Sequence, residues 1–212
     1  MATLSPPDQS VVITSVSWRT YVNLLEDLAE SSMPHLTFDR GTLEIMSPTK
    51  KHERLNRVLS QLVEVLTDEL GIDMENLGST TFKREDLERG FEPDSCFYFE
   101  QAELVRSKEE LDLSLDPSPE LVIEIDVTSS SNNKGHKDPI YAQLGVREVW
   151  RYDGNELRIG KLAGKGYVAS ETSGALPLLT ATVLSQFLER SRTATRPELV
   201  KSFRQWIREN SG

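Results

Sequence analysis

The chain has 212 residues, of which 34 are Asp or Glu and 24 are Lys or Arg, leaving a formal charge of −10. At 37% hydrophobic and 27% charged it has the makeup of a folded protein, which excludes wholesale disorder, and its lone cysteine, Cys96, excludes an internal disulfide. No apolar run approaches ~18 residues and no basic-plus-apolar leader opens the sequence, so a cytoplasmic protein without membrane contact is expected; the acidic balance argues against a general nucleic-acid coat, because a polyanion is bound by releasing its counterions to a positive surface.

Residues 1–10, with two prolines and no apolar period, read as a flexible tail, and a single α/β domain is expected over 11–212. From Trp18, apolar residues recur at three- and four-residue steps through Tyr21, Val22, Leu25 and Leu28, with Ser17 as N-cap of a short amphipathic helix. Residues 35–39 and 42–46 form a hairpin turning at Arg40-Gly41. A long helix follows from about Thr49, with Leu55, Val58, Leu59, Leu62, Val63 and Leu66 on one face, closing at Gly71. Strand character then appears over 72–83, 93–99 and 121–127. A helix over 137–144 leads back to strands at 146–152, 156–162 and 167–170, with a hairpin turn at Asp153-Gly154-Asn155. Two helices, 179–190 and 197–209, close the chain.

The segment Leu121-Val-Ile-Glu-Ile-Asp-Val127 is apolar except at Glu124 and Asp126, as expected of a strand buried on both faces. Residues two apart in a strand share a face, so the two carboxylates would lie together, and their burial demands a cation, a proton or hydrogen-bond donors. In the structural reading Asp126 caps the strand and Glu124 pairs with Arg or Lys. In the functional one they hold a metal, because Glu92-Pro93-Asp94 opens a second strand and acids facing one another across strands build oxygen-ligand cation sites. The polar run from Thr128 to Lys137 supplies Lys134 and Lys137, either of which could steady charge at a phosphate. His52 and Glu53 open the long helix, where an acid is also favoured by the helix dipole. His35 and His136 show no metal-ligand spacing with His52, and Cys96 reads as a small buried hydrophobe.

These residues resemble the Uma2 family of the PD-(D/E)XK nuclease superfamily over roughly 18–188. The likeness runs through Gly41 to Pro48, His52-Glu53, Gly78 to Thr81, Glu92-Pro-Asp94, Leu121 to Ser129, Lys137-Asp-Pro-Ile-Tyr141 and Gly145 to Trp150. The resemblance implies a restriction-endonuclease-like core, a mixed central sheet flanked by helices, with Mg²⁺ or Mn²⁺ as cofactor and DNA as substrate. On that pattern Asp94 and Glu124 match the metal-binding acids. The sequence departs from it at the motif lysine, where Asp126 stands, and Lys137 on the following helix takes that role. Asp126 is then either a third metal ligand or an acid holding Lys137. Glu53 corresponds to the helix glutamate of many superfamily members, with His52 as its family-typical neighbour. A metal-dependent endodeoxyribonuclease is implied, with a silent binding module or a hydrolase of small phosphodiesters as alternatives. A homodimer would suit cutting both strands, through terminal strands or the Trp206 helix, and DNA contact would need a local basic patch such as Lys134/Lys137 or Lys83/Arg84.

Overall fold

A computed structural model of the chain describes residues 9–28, 34–127 and 137–211. In chain order the elements are β1 (Gln9–Ile13), α1 (Trp18–Asp27), β2 (His35–Asp39), β3 (Thr42–Ser47), α2 (Lys50–Leu70), β4 (Glu75–Gly78), β5 (Phe82–Arg84), β6 (Arg89–Phe91), β7 (Ser95–Tyr98), α3 (Ala102–Arg106), β8 (Leu121–Ile125), α4 (Asp138–Leu144), β9 (Glu148–Tyr152), β10 (Leu157–Ala163), β11 (Gly166–Ser170), α5 (Ala181–Arg190) and α6 (Arg196–Asn210). Among the described residues, no helix is long and apolar enough to cross a membrane.

The expected mixed sheet is six-stranded, in the order β11-β10-β9-β8-β7-β4. Only β8 and β9 run parallel, joined by a crossover that contains α4; the other neighbours are antiparallel. Alternation along β8 sends Leu121, Ile123 and Ile125 to the face covered by α2, α5 and α6, while Val122 joins Ile140, Tyr141 and Leu144 of α4 on the other. Every residue of β8 is buried, which explains its near-continuous apolar run. The long helix α2 lays Leu55, Leu59, Leu62, Val63 and Leu66 on this sheet and ends at Gly71, whose φ of 64° suits the left-handed cap.

A second sheet, antiparallel and five-stranded in the order β1-β3-β2-β6-β5, goes beyond the sequence expectation. Tyr21 of α1 packs on its Leu36, Phe38 and Leu43, stacked on Phe38 at 5.0 Å. The single strand expected over 72–83 is corrected to two strands in different sheets. Asn76 Oδ1 accepts the Gly78 N–H at 3.0 Å and Gly78 takes φ 57°, which breaks the chain between them. The boundary of the tail also shifts, because Gln9 and Ser10 pair with Ser47 and Met46 in β1; residues 1–8 lie outside the described residues. The β2–β3 turn carries positive φ at both Arg40 and Gly41, as a tight hairpin of this twist requires.

Candidate functional site

Asp94 stands just before β7, and α2 grips its backbone. Asn56 Nδ2 donates to the Asp94 carbonyl at 2.8 Å, Ser95 Oγ donates to Asn56 Oδ1 at 2.8 Å, and Ser60 and Ser95 share a hydroxyl contact at 2.9 Å. Glu92, two residues earlier, is anchored to the five-stranded sheet by accepting the Leu36 N–H at 2.6 Å and the Thr81 hydroxyl at 2.5 Å. The β7–β8 register pairs Ser95 with Ile123, so one more step along the ladder sets Asp94 beside Glu124.

The Asp94 carboxylate is buried. Its Oδ2 accepts the Ile125 N–H at 2.7 Å and lies 2.9 Å from His52 Nε2. Its Oδ1 lies 3.7 Å from His35 Nδ1 and makes no hydrogen bond among the described residues. Burial alone would raise this carboxyl, but His35, His52 and the Lys137 charge outweigh it and hold the group well below the usual carboxylate range. An anion so placed, with one oxygen left over, is a candidate cation ligand.

Glu124 is the second buried acid. Tyr141 donates its hydroxyl to Oε1, and Lys137 Nζ donates to Oε2 at 3.2 Å. Lys137 precedes α4 and Tyr141 lies one helical turn on, so both reach the same carboxylate. Burial raises Glu124 above the usual range, against the pull of Lys137 and with added push from Asp94. For Lys137, burial favours the neutral amine, yet Glu124, Asp94 and Glu44 together raise its pKa and keep it an ammonium. Asp94 and Glu124 thus flank one retained buried cation, with buried Glu44 also within reach of its charge.

The other sequence candidates fall differently. Asp126 is engaged by an arginine. Ladder pairing of β8 ends at Ile125, and Arg151, opposite Glu124 in register, takes the Asp126 carboxylate at 3.2 Å while also bonding Asp138. Glu53 lies half-buried in the first turn of α2 and lines a cavity of about 780 Å³ with Asp94 and His35. His52 meets Asp94 directly. His35, given no role by spacing, joins the site from the start of β2, in the other sheet, with its Nδ1 3.7 Å from Asp94 Oδ1. Tyr141 had one signal, its four-residue step from Lys137. Lys134 and His136 lie outside the described residues. The patch expected at Lys83/Arg84 is corrected too, since Arg84 is bound by Asp86 at 2.6 Å, and Lys137 is buried rather than part of a surface. Cys96 is fully buried, and burial pushes its thiol far above the ordinary value.

Among the described residues, no three His, Cys, Asp or Glu side chains form a metal-holding group. The donor set that fits a divalent cation is thus the carboxylate pair Asp94 and Glu124, Asp94 Oδ1 accepting no hydrogen bond among the described residues. Two carboxylates suit Mg²⁺, which keeps several waters and is held by one or two acids.

Residues 18–194 match the Uma2 family, described as "Putative restriction endonuclease". Among solved structures the chain is similar to a "putative nuclease belonging to DUF820" from Anabaena variabilis ATCC 29413, with a TM-score of 0.55 and 13% identity, over 82% of this chain and 99% of that one. At that identity the likeness is one of fold. No curated protein matches.

Proposed function

This chain belongs to the Uma2 family, and on that premise we propose that it is a divalent-metal-dependent endonuclease hydrolysing phosphodiester bonds in DNA. The observation that carries the reading is the buried pair Asp94 and Glu124 beside the Lys137 ammonium, with Asp94 Oδ1 lacking a hydrogen bond. Asp94 and Glu124 would hold Mg²⁺ or Mn²⁺, which when bound lowers the pKa of water and polarises a phosphoryl oxygen. The chain's own groups prepare the rest. Ile125 N–H and His52 fix one Asp94 oxygen, while the other accepts no hydrogen bond among the described residues and lies 3.7 Å from His35 Nδ1. Tyr141 fixes Glu124, and Lys137 brings a positive charge to where a phosphorane oxygen would gain negative charge. Arg151 keeps Asp126 from adding a third bare acid.

The test is nicking of supercoiled plasmid with Mg²⁺ or Mn²⁺ by the wild type and by Asp94→Ala. Metal-dependent nicking that Asp94→Ala loses by ~10²-fold or more supports the assignment; equal activity in both proteins overturns it.

A second reading is a catalytically silent module of the same fold. It is favoured by Glu124 having both oxygens already engaged, one by Tyr141 and one by Lys137. Calorimetric titration with Mn²⁺ separates the two, since a silent module gives no heat that depends on Glu124. Turnover of a small chromogenic phosphodiester faster than that of duplex DNA would instead favour a small-substrate hydrolase. A homodimer remains part of the proposal. Val11, Val12 and Ile13 lie exposed on the edge strand β1 and could join two copies, whereas Trp206 is stacked on Phe203 at 5.7 Å and packs into the core. Sedimentation of the wild type and of a Val11→Lys/Ile13→Lys protein tests it.

A further inference from the structure

In an acidic chain most arginines are matched by carboxylates: Arg84, Arg106, Arg147, Arg151, Arg204 and Arg208 each hold at least one. Arg57 and Arg196 do not. Both are exposed, and neither makes a hydrogen bond or ion pair among the described residues. Although 139 residues apart in sequence, they line one cavity, the same one that Asp94 lines.

The fold brings them together for a definite reason. Arg54, one turn ahead of Arg57's face on α2, donates a guanidinium hydrogen bond to the carbonyl of Ser191, where α5 ends. That bond docks the first half of α2 against the α5–α6 turn, and Arg196 opens α6 immediately after it. On α2 itself, Asn56 holds the Asp94 carbonyl at 2.8 Å, so its neighbour Arg57 is tied to the site by a single residue. Of the cavity's acids, Glu64 accepts a hydrogen bond from Asn76 at 2.9 Å, and Glu53 stands one turn, ~6 Å along the axis, before Arg57 on the same face of α2 without closing an ion pair to it. Arg196 also lines a shallower groove of about 910 Å³ along α6, which continues to Lys201. Lys201 likewise has no hydrogen bond or ion pair among the described residues.

We propose that this groove, from Asp94 past Arg57 to Arg196 and on to Lys201, seats the phosphodiester backbone of DNA flanking the bond to be cut. The proposal rests on the nuclease reading for the identity of its ligand. Exposed guanidiniums without acid partners at a concave surface are the groups that bind phosphate oxygens bidentately, and they need break no internal ion pair to do so. The placement also resolves the conflict posed by the net charge of −10. The positive surface required for counterion release is confined to one groove, and the basic patch is built from α2 and α6 instead of from Lys83/Arg84.

The test measures equilibrium binding of the full chain to a fluorescein-labelled DNA duplex by anisotropy, in Ca²⁺, across a series of salt concentrations. Arg57→Gln and Arg196→Gln are each expected to weaken binding about tenfold and to lower the slope of log K against log salt by about one. Thermal melting should be unchanged, because neither arginine has a partner to lose. Lys165→Gln, at the exposed β10–β11 turn, should leave affinity and slope near wild type. Binding and slope unaltered by both arginine variants would overturn the groove, as would a loss no greater than that of Lys165→Gln, or a wild type that binds no duplex. The nicking assay distinguishes this from failure of the nuclease reading. Arginine-dependent binding without metal-dependent nicking keeps the groove and discards catalysis; nicking at wild-type rates by both arginine variants keeps catalysis and discards the groove.

Discussion

Replacing Lys137 with Met in the metal-free protein removes the ammonium from Glu124 while keeping most of the side-chain volume. Both side chains are almost wholly buried, at 6% and 4% exposure, and the pair is 3.2 Å apart. At that separation and an effective dielectric of about 20 the attraction is ~5 kcal/mol, in line with the ~3–5 kcal/mol lost when one member of a buried pair is deleted. Glu124 has one escape, which is to take up a proton, and burial already raises its carboxyl against the pull of Lys137. A carboxyl raised in the folded state contributes stability in full below its unfolded value of 4.5 and loses that contribution as pH climbs through the folded value. Removing Lys137 raises Glu124 further and widens that window. The deficit of Lys137→Met should therefore be smallest below the folded wild-type value and grow by up to ~1.4 kcal/mol per pH unit between the folded values of wild type and variant. Urea unfolding in EDTA, followed by the fluorescence of buried Trp150, checks this at about pH 5 and about pH 7.5. An equal shift in midpoint at both pH values, or a loss below ~1 kcal/mol at the higher one, would refute the view that Lys137 is the charge partner of a buried Glu124.

Tyr141→Phe deletes the hydroxyl on Glu124 Oε1 without changing the ring packed at 4.7 Å against Phe91, and should cost ~1.5–3 kcal/mol in denaturant unfolding; an unchanged midpoint would argue that this hydroxyl does not support the acid. Asp94→Asn tests the opposite titration. Burial would raise Asp94, but His35, His52 and Lys137 depress it, so its contribution is present above the unfolded value of 3.8 and is lost as pH falls through the folded one. Melting temperatures from about pH 4.5 to about pH 2.5 should then fall less steeply for the variant than for wild type, and parallel curves would contradict the assignment. Gly90→Ala places a Cβ 2.2 Å from Tyr21 Oη, beneath the stack with Phe38, and should destabilise by ~1–3 kcal/mol; a neutral outcome would mean that β6 can move away from α1.

What the sequence conveyed, it conveyed through burial and periodicity. The apolar period of α2 and the two acids set in a continuously apolar β8 are local patterns, and they lead directly to Glu124. Asp94 was visible as an acid at a strand mouth, and the register from Ser95 to Ile123 brings it beside Glu124. The second sheet was legible only through its β2–β3 hairpin, because β5 and β6 have three residues each and are too short to display an alternation. The fate of Asp126 was not legible, since the period of two gives the face of a strand residue but not the cation across from it, here Arg151 on β9. His35 entered the site, and Arg196 the cavity, by tertiary docking alone, through the pairing of Glu92 with β2 and of Arg54 with the end of α5. Such contacts join residues dozens of positions apart and leave no spacing signature.

The central claim is that Asp94 and Glu124 together hold a divalent cation, and the most direct measurement is anomalous diffraction from crystals soaked in Mn²⁺. One strong peak is expected in contact with Asp94 Oδ1 and with a Glu124 carboxylate oxygen, absent from Asp94→Ala crystals. A soaked wild-type crystal with no peak between these two acids, and with Lys137 still seated on Glu124, would contradict it.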